Sequence, residues 1–297
     1  MENVLTLIAG KDAVLSDDDV AAIRNALKDL GAHVAAPKWL SPGKATDVAF
    51  GHLAPEQADA CARFVLGKAK VDVVAQALDN RRKMLLVADM DSTMVVGETL
   101  DELAEYAGIK DRIAAITARA MNGEIGFEDA LRERIGLMAG LPETALAETW
   151  AKTQLMPGAR ALVQTMKANG AYCVLVSGGF TFFTTRVREA CGFDIDLGNR
   201  FIFQDGKLAG VEDPILGRQT KLATLIKTAG ERKIPLALSA AVGDGANDLD
   251  MIKAAGLGVA YQAKPVVAAE ARVRIDHGDL TALLYAQGYG DADFVGA

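Results

Sequence analysis

The alternation of apolar and polar positions divides the chain near residue 80. Before that point the segments are short. "NVLTLIA" (3–9) predicts a strand. Residues 17–30 predict a helix with Ser16 as N-cap, Val20, Ile23, Leu27 and Leu30 on one face, and Gly31 as its stop. Extended segments near 32–40 and 45–51, a helix over 55–67 opened by Pro55, and another extended segment at 71–75 complete the series. The β-α-β-β-α-β order is that of a ferredoxin-like α+β domain. After residue 84 the apolar runs are unbroken, at 84–88, 171–176, 236–242 and 257–261, and glycine-rich or acidic turns follow them. Strands buried on both faces belong to an α/β core with a doubly wound, Rossmann-like parallel sheet.

About 80 residues separate the first of these strands from the second, whereas a crossover needs only about a dozen. The excess, roughly 97–155, has helical periodicity throughout. "TLDE" offers a capping box from Thr99 to Glu102, followed by Leu100, Leu103, Ala104 and Ala107 on one face. This insert is expected to form a helical cap over the strand ends. The chain therefore divides into an N-terminal domain (1–80), a core (81–96 and 156–297) and a cap (97–155).

Composition narrows the function. A formal net charge of −7 argues against a nucleic-acid surface. The one basic run, Arg81-Arg82-Lys83, reads as a solvated approach to the strand. No stretch approaches the ~20 uninterrupted apolar residues of a membrane span, and the N-terminus has no basic region suited to a signal peptide. Three cysteines without CxxC spacing point to reduced thiols and a cytoplasmic location. Three scattered histidines make a histidine-rich zinc site unexpected.

The chemistry gathers at the strand ends. "LLVADMDSTM" (85–94) ends a buried run on Asp89 and Asp91, which share a strand face. "AVGDGANDLDM" puts Asp244 and Asp248 at another strand end. Ligands of doubly wound sheets collect at these carboxyl ends. Each close pair of like charges costs on the order of 4 kcal/mol at an effective dielectric near 20. Converging carboxylates therefore call for a cation, and all-oxygen ligands suit Mg²⁺. Singly, each acid also reads as a turn residue or helix cap. "LVSGGF" supplies Ser177 and the N–H groups of Gly178 and Gly179 where a helix is expected to begin, an anion cradle. Lys221 falls in the first turn of another helix, opposing its dipole. Alone it also reads as a solvated lysine.

In order, "DMDST", "SGG", Lys221 and "GDGANDLDM" resemble the four signature motifs of the haloacid dehalogenase superfamily. With "GETLDELAEYAGI" and "RAMNGEIGFEDALRERI" the chain is similar to the phosphoserine phosphatases within it. Bacterial members also carry an N-terminal ACT-type module, which residues 1–80 match in outline, and since such modules often pair, the resemblance allows a homodimer.

The resemblance implies Asp89 as nucleophile and Asp91 as the acid and base that protonates the leaving oxygen and then takes a proton from water. It implies Mg²⁺ held by Asp89, the backbone carbonyl of Asp91 and Asp244, with Asp248 in support. Ser177, Gly178, Lys221 and Asn247 would hold the phosphoryl oxygens. Asp91 speaks against dehalogenation, whose leaving halide needs no proton, and against P-type ATPases, which carry threonine there.

In "FEDALRERIGLM" Arg134 lies in the apolar stripe of Phe127, Ala130, Leu131 and Met138, suited to a bidentate pair with a substrate carboxylate or to snorkelling from the stripe edge. By resemblance Arg134 binds the substrate carboxylate, Glu98 faces its ammonium, and Met121 and Phe127 close the pocket. The expected reaction is Mg²⁺-dependent hydrolysis of O-phospho-L-serine, the last step of serine biosynthesis. The alternatives are a phosphotransferase or phosphatase for a related small phosphorylated metabolite, and an amino-acid sensor with a vestigial core.

Overall fold

The computed structural model describes residues 1–121 and 124–296, with the side chain of Met121 outside that description. In the N-terminal part β1 (Asn3–Ala9) leads to α1 (Asp17–Asp29), where Ser16 and Asp19 form a reciprocal capping box. The extended segment expected at 32–40 is broken into β2 (His33–Val34) and β3 (Lys38–Ser41). Pro37 stands in the gap and has no N–H to give a ladder. Both pieces pair with β4 (Ala45–Gly51), and α2 (Pro55–Leu66) and β5 (Val71–Ala77) follow. The order β2-β4-β1-β5, antiparallel throughout, is ferredoxin-like. Apolar residues of α1 and α2 (Ile23, Leu27, Ala58, Ala62) cover one sheet face through Leu5, Leu7, Val48 and Phe50. On the other face Ile8, Leu40, Ala45 and Val74 share one apolar cluster with Leu284, Tyr285 and Tyr289 from the C-terminal end.

The core begins with β6 (Leu85–Ala88). Among the described residues four helices then form the inserted layer: α3 (Thr99–Tyr106), α4 (Lys110–Met121), α5 (Phe127–Leu137) and α6 (Thr144–Lys152). The chain returns through α7 (Ala159–Ala168), β7 (Tyr172–Phe180), α8 (Thr181–Cys191) and β8 (Ile195–Asn199). A hairpin of β9 (Phe201–Gln204) and β10 (Lys207–Val211) precedes α9 (Arg218–Arg232) and β11 (Ser239–Gly243). The last elements are α10 (Leu249–Ala254), β12 (Leu257–Tyr261), α11 (Pro265–Glu270), β13 (Val273–Ile275) and α12 (Ala282–Ala286).

The six core strands are parallel in the order β13-β12-β11-β6-β7-β8. In chain order that is 3-2-1-4-5-6 read from β8, so the direction of winding reverses between β6 and β11. Asp89 follows one of these strands and Asp244 the other, which sets both at the crevice of the switch point.

Several local expectations fail for tertiary reasons. The strand expected at 236–242 starts at Ser239, after a 3-10 turn at Leu236–Leu238. The capping box at Thr99 does not form, and Glu98 is the N-cap without a side-chain bond. Arg81 is no solvated residue: it grips both Asp47 oxygens (2.6 Å each) and donates to the Tyr285 and Ala286 carbonyls. Lys83 is 4% exposed, its ammonium bound to the carbonyls of Asn80 and Ala237. The β9–β10 hairpin, absent from the periodicity reading, docks on the cap through Gly140 N–H to Leu208 O and Leu208 N–H to Leu141 O (2.8 Å each).

Candidate active site

The Asp89 N–H makes a last sheet rung to the Val242 carbonyl (3.0 Å), and the chain then turns sharply, with Met94 and Val95 N–H both donating to the Met90 carbonyl. Asp89 and Asp91 therefore diverge. Asp89 faces Lys221, whose Nζ lies 2.6 Å from Asp89 Oδ1 and 2.6 Å from Asp248 Oδ1. The second Asp248 oxygen accepts the Gly245 N–H (3.0 Å), so that carboxylate is committed to the protein on both sides. A Cβ on Gly243 would overlap the Asp248 side chain, which is why β11 ends on glycine. Asp91 points toward the cap. Its Oδ1 accepts the Thr99 N–H (2.8 Å), and Ser177 Oγ donates to its Oδ2 (3.3 Å). The first turn of α3 is thus capped by a carboxylate from the core rather than by its own side chains.

Asp89, Asp244 and Asp248 each place one oxygen within 4.8 Å of the others, and all three are buried. One ammonium, Lys221, faces this cluster from inside, and a second, Lys264, stands 3.8 Å from Asp244 Oδ2 at the solvent side. Hard carboxylate oxygens, an excess of negative charge and burial together fit a divalent cation.

The pKa shifts follow from the same crowding. Burial lifts Asp89 well above the usual carboxylate range and Asp248 adds to the rise, while Lys221 opposes it. Burial also raises Asp91, against the pull of the Thr99 hydrogen bonds. Asp244 rises to about 6, chiefly through burial. Burial works against the Lys221 charge, but Asp248 and Asp89 outweigh it and raise its pKa. Glu98 opens to solvent along the cleft, yet the surrounding walls desolvate its carboxyl, and with Asp91 nearby its pKa reaches about 7.

"SGG" sits in the last part of β7, not in a helix, since α8 begins at Thr181. Between Val176 and Phe180 the pairing register with β8 shifts, which frees this stretch from a regular ladder. The Gly179 N–H donates to Ser177 Oγ (2.8 Å), so of the expected cradle it is already engaged. Phe127, from the cap, lies over the other glycine: a Cβ on Gly178 would come within 2.9 Å of Phe127 Cζ. The ring also lies 3.5 Å from the corresponding point on Gly217.

Arg134 is half-buried on α5, and its hydrogen bond among the described residues is from Nε to the Ala130 carbonyl (3.3 Å). Burial lowers its pKa, and the charges that restore it are Asp101, Glu98 and Asp91. No salt bridge within 4.0 Å ties it down among the described residues. Asn247 is half-buried beside Gly245 in the turn after β11. Met121 ends α4, and its side chain lies outside the described residues.

Three contributors were missed from sequence: the Thr99 N–H, Asp101 and Lys264. For Lys264 a signal existed, because it immediately precedes a Pro-started helix and so opposes the dipole just as Lys221 does.

The profile of the haloacid dehalogenase-like hydrolases matches residues 86–253, from β6 through the cap to α10. A phosphoserine phosphatase of Streptomyces coelicolor is 42% identical over 219 residues, covering 73% of this chain and 53% of that protein. The chain thus spans about half the length of the first curated relatives it matches. The crystal structure of a probable phosphoserine phosphatase from Vibrio cholerae, in unliganded form, superposes with a TM-score of 0.79 at 28% identity, covering 98% of this chain and 88% of that one. A phosphoserine phosphatase solved as a phospho-aspartyl intermediate analogue is 38% identical, with a TM-score of 0.64, covering 69% of this chain and 98% of that one. The profile match takes in both strands of the switch point with every acidic side chain gathered there, and the chain belongs to the haloacid dehalogenase-like hydrolase family.

Proposed function

We propose that the chain hydrolyses O-phospho-L-serine to L-serine and phosphate through an aspartyl-phosphate on Asp89. The observation that carries the substrate assignment is Arg134: a half-buried cap guanidinium with no ion-pair partner among the described residues, near Asp101, Glu98 and Asp91. An amino-acid phosphate supplies what this arrangement lacks, a carboxylate for Arg134 and an ammonium for Glu98. The identity to phosphoserine phosphatases supports the same reading.

In the first step an Asp89 oxygen attacks phosphorus, the bond to the seryl oxygen breaks, and that oxygen takes a proton from the Asp91 carboxyl. In the second, a water oxygen attacks phosphorus, its proton passes to Asp91, and the bond to Asp89 breaks to release phosphate. The raised pKa of Asp91 suits a group that must hold and then recover a proton. Lys221, Ser177, the Gly178 N–H and Asn247 hold the phosphoryl oxygens as charge shifts. Phe127 over Gly178 helps to shut water out of the cleft, and Met121, expected to close it with Phe127, has its side chain outside the described residues. Mg²⁺, held by Asp89, the Asp91 carbonyl and Asp244 with Asp248 in support, would neutralise phosphoryl charge when bound. The elements support division into an N-terminal ACT-like domain (1–80), a core (81–96, 156–297) and a cap (97–155).

The test compares O-phospho-L-serine with an aryl phosphate. Arg134→Ala is expected to lose about 10²–10³-fold in kcat/KM on phosphoserine, as for a truncated charge pair, and far less on the aryl ester. Asp89→Asn and EDTA abolish both. If Arg134→Ala affects both substrates equally, the substrate assignment fails while the chemistry stands.

A further inference from the structure

Lys264 has no part in the mechanism above, yet it stands at the mouth of the cation site. Its N–H donates to the Asp244 carbonyl (3.1 Å), and Pro265 follows as the first residue of α11. The backbone is thereby pinned where β12 passes into the helix. From there Nζ reaches to 3.8 Å from Asp244 Oδ2. The Lys264 side chain is 46% exposed and that of Asp244 10%, so the ammonium lies on the solvent side of the carboxylate. Helix stability does not account for this placement, since a cation before the first turn opposes the dipole. Lys221 divides its charge between two buried carboxylates, whereas the salt bridge of Lys264 among the described residues is to Asp244 alone.

We propose that the Lys264 ammonium competes with the divalent cation for Asp244 and holds cation affinity below what the site would give without that charge. A positive charge a few ångströms from a metal ligand repels the incoming ion. Because Lys264 can swing into solvent, the competition lowers affinity without closing the site. This inference rests on the cation-dependent reading of the site.

The test is a calorimetric titration of the full chain with MgCl₂ alone, beside thermal unfolding at graded Mg²⁺, at pH 8 where Asp244 is ionised. Lys264→Met is expected to bind Mg²⁺ about tenfold more tightly, a modest factor because the ammonium is half in water. Lys264→Arg keeps the wild-type affinity, which separates charge from shape, and Asp244→Asn removes binding. Equal or weaker Mg²⁺ binding by Lys264→Met overturns the inference while leaving the cation reading intact. A wild type that binds no Mg²⁺ overturns the cation reading and the inference together.

Discussion

Asp244→Asn isolates what the carboxylate cluster costs the fold. Asp244 is 7% exposed, and burial with the nearby charges of Asp248 and Glu98 raises its pKa from 3.8 to about 6 despite Lys264. A carboxyl whose folded pKa is raised holds more protons folded than unfolded between those two values. Stability therefore falls as pH rises through about 4 to 6, and the full penalty is present at pH 7. Roughly two pH units correspond to about 3 kcal/mol. The amide removes this penalty and gives up the half-exposed contact with Lys264, which is worth under about 1 kcal/mol. The net gain is about 2 kcal/mol, or about 3 °C in Tm for a chain of this size.

The assay is thermal unfolding of wild type and Asp244→Asn in EDTA at pH 7.5 and pH 4, repeated with Mg²⁺ at pH 7.5. The variant is expected to be the more stable at pH 7.5 without metal, with the gap closing by pH 4. Mg²⁺ should raise the wild type and leave the variant unmoved, since a ligand stabilises only the state that binds it. A metal-free variant no more stable than wild type at pH 7.5 would refute the electrostatic reasoning. So would a gap that persists at pH 4.

The remaining predictions concern the cap and the fastening of the N-terminal sheet. Gly178→Ala forces Phe127 aside, since its Cβ would come within 2.9 Å of Phe127 Cζ; phosphoserine kcat/KM should fall about tenfold or more, and Phe127→Ala added to it should restore part of the loss. Glu98, with a pKa of about 7, must be ionised to face an ammonium, so wild-type kcat/KM on phosphoserine should decline as pH falls below 7. Glu98→Gln should lose that limb and run flat at a lower level. Asp72 accepts the N–H groups of Asp276, His277 and Gly278; Asp72→Ala leaves these donors unpaired and should cost about 3 kcal/mol in urea unfolding, while Asp72→Asn, which keeps one acceptor oxygen, should cost less.

What the sequence disclosed was whatever a local run encodes. Unbroken apolar segments marked β6, β11 and β12, and the acids at their ends identified the crevice, because burial on both faces and polar strand ends are local properties. Contacts between distant segments were hidden. Arg81 reads as solvated because its acceptors lie on Asp47 and at Tyr285 and Ala286. "TLDE" has every local feature of a capping box, but the Asp91 carboxylate reaches the Thr99 N–H first. The β9–β10 hairpin is a different case. Asp205 and Gly206 both have positive φ, as a tight hairpin turn requires, and "DG" between alternating residues is a local signal of that turn.

The N-terminal sheet is built into the molecule. One face lies under α1 and α2, the other shares a core with α12, and edge strand β5 packs beside β13. Asp72 fastens that edge to residues 276–278, and two residues on, the Leu280 N–H donates to the Pro157 carbonyl (3.1 Å). Pro157 follows the segment whose Leu155 bridges Val95 where the chain enters and leaves the cap. A disturbance of β5 thus has a short bonded route to the base of the cap. The same packing limits how two copies could pair through this sheet. With both faces and the β5 edge covered, the β2 side and the outer surfaces of α1 and α2 remain, so pairing there would not strip the parallel-sheet core of its support.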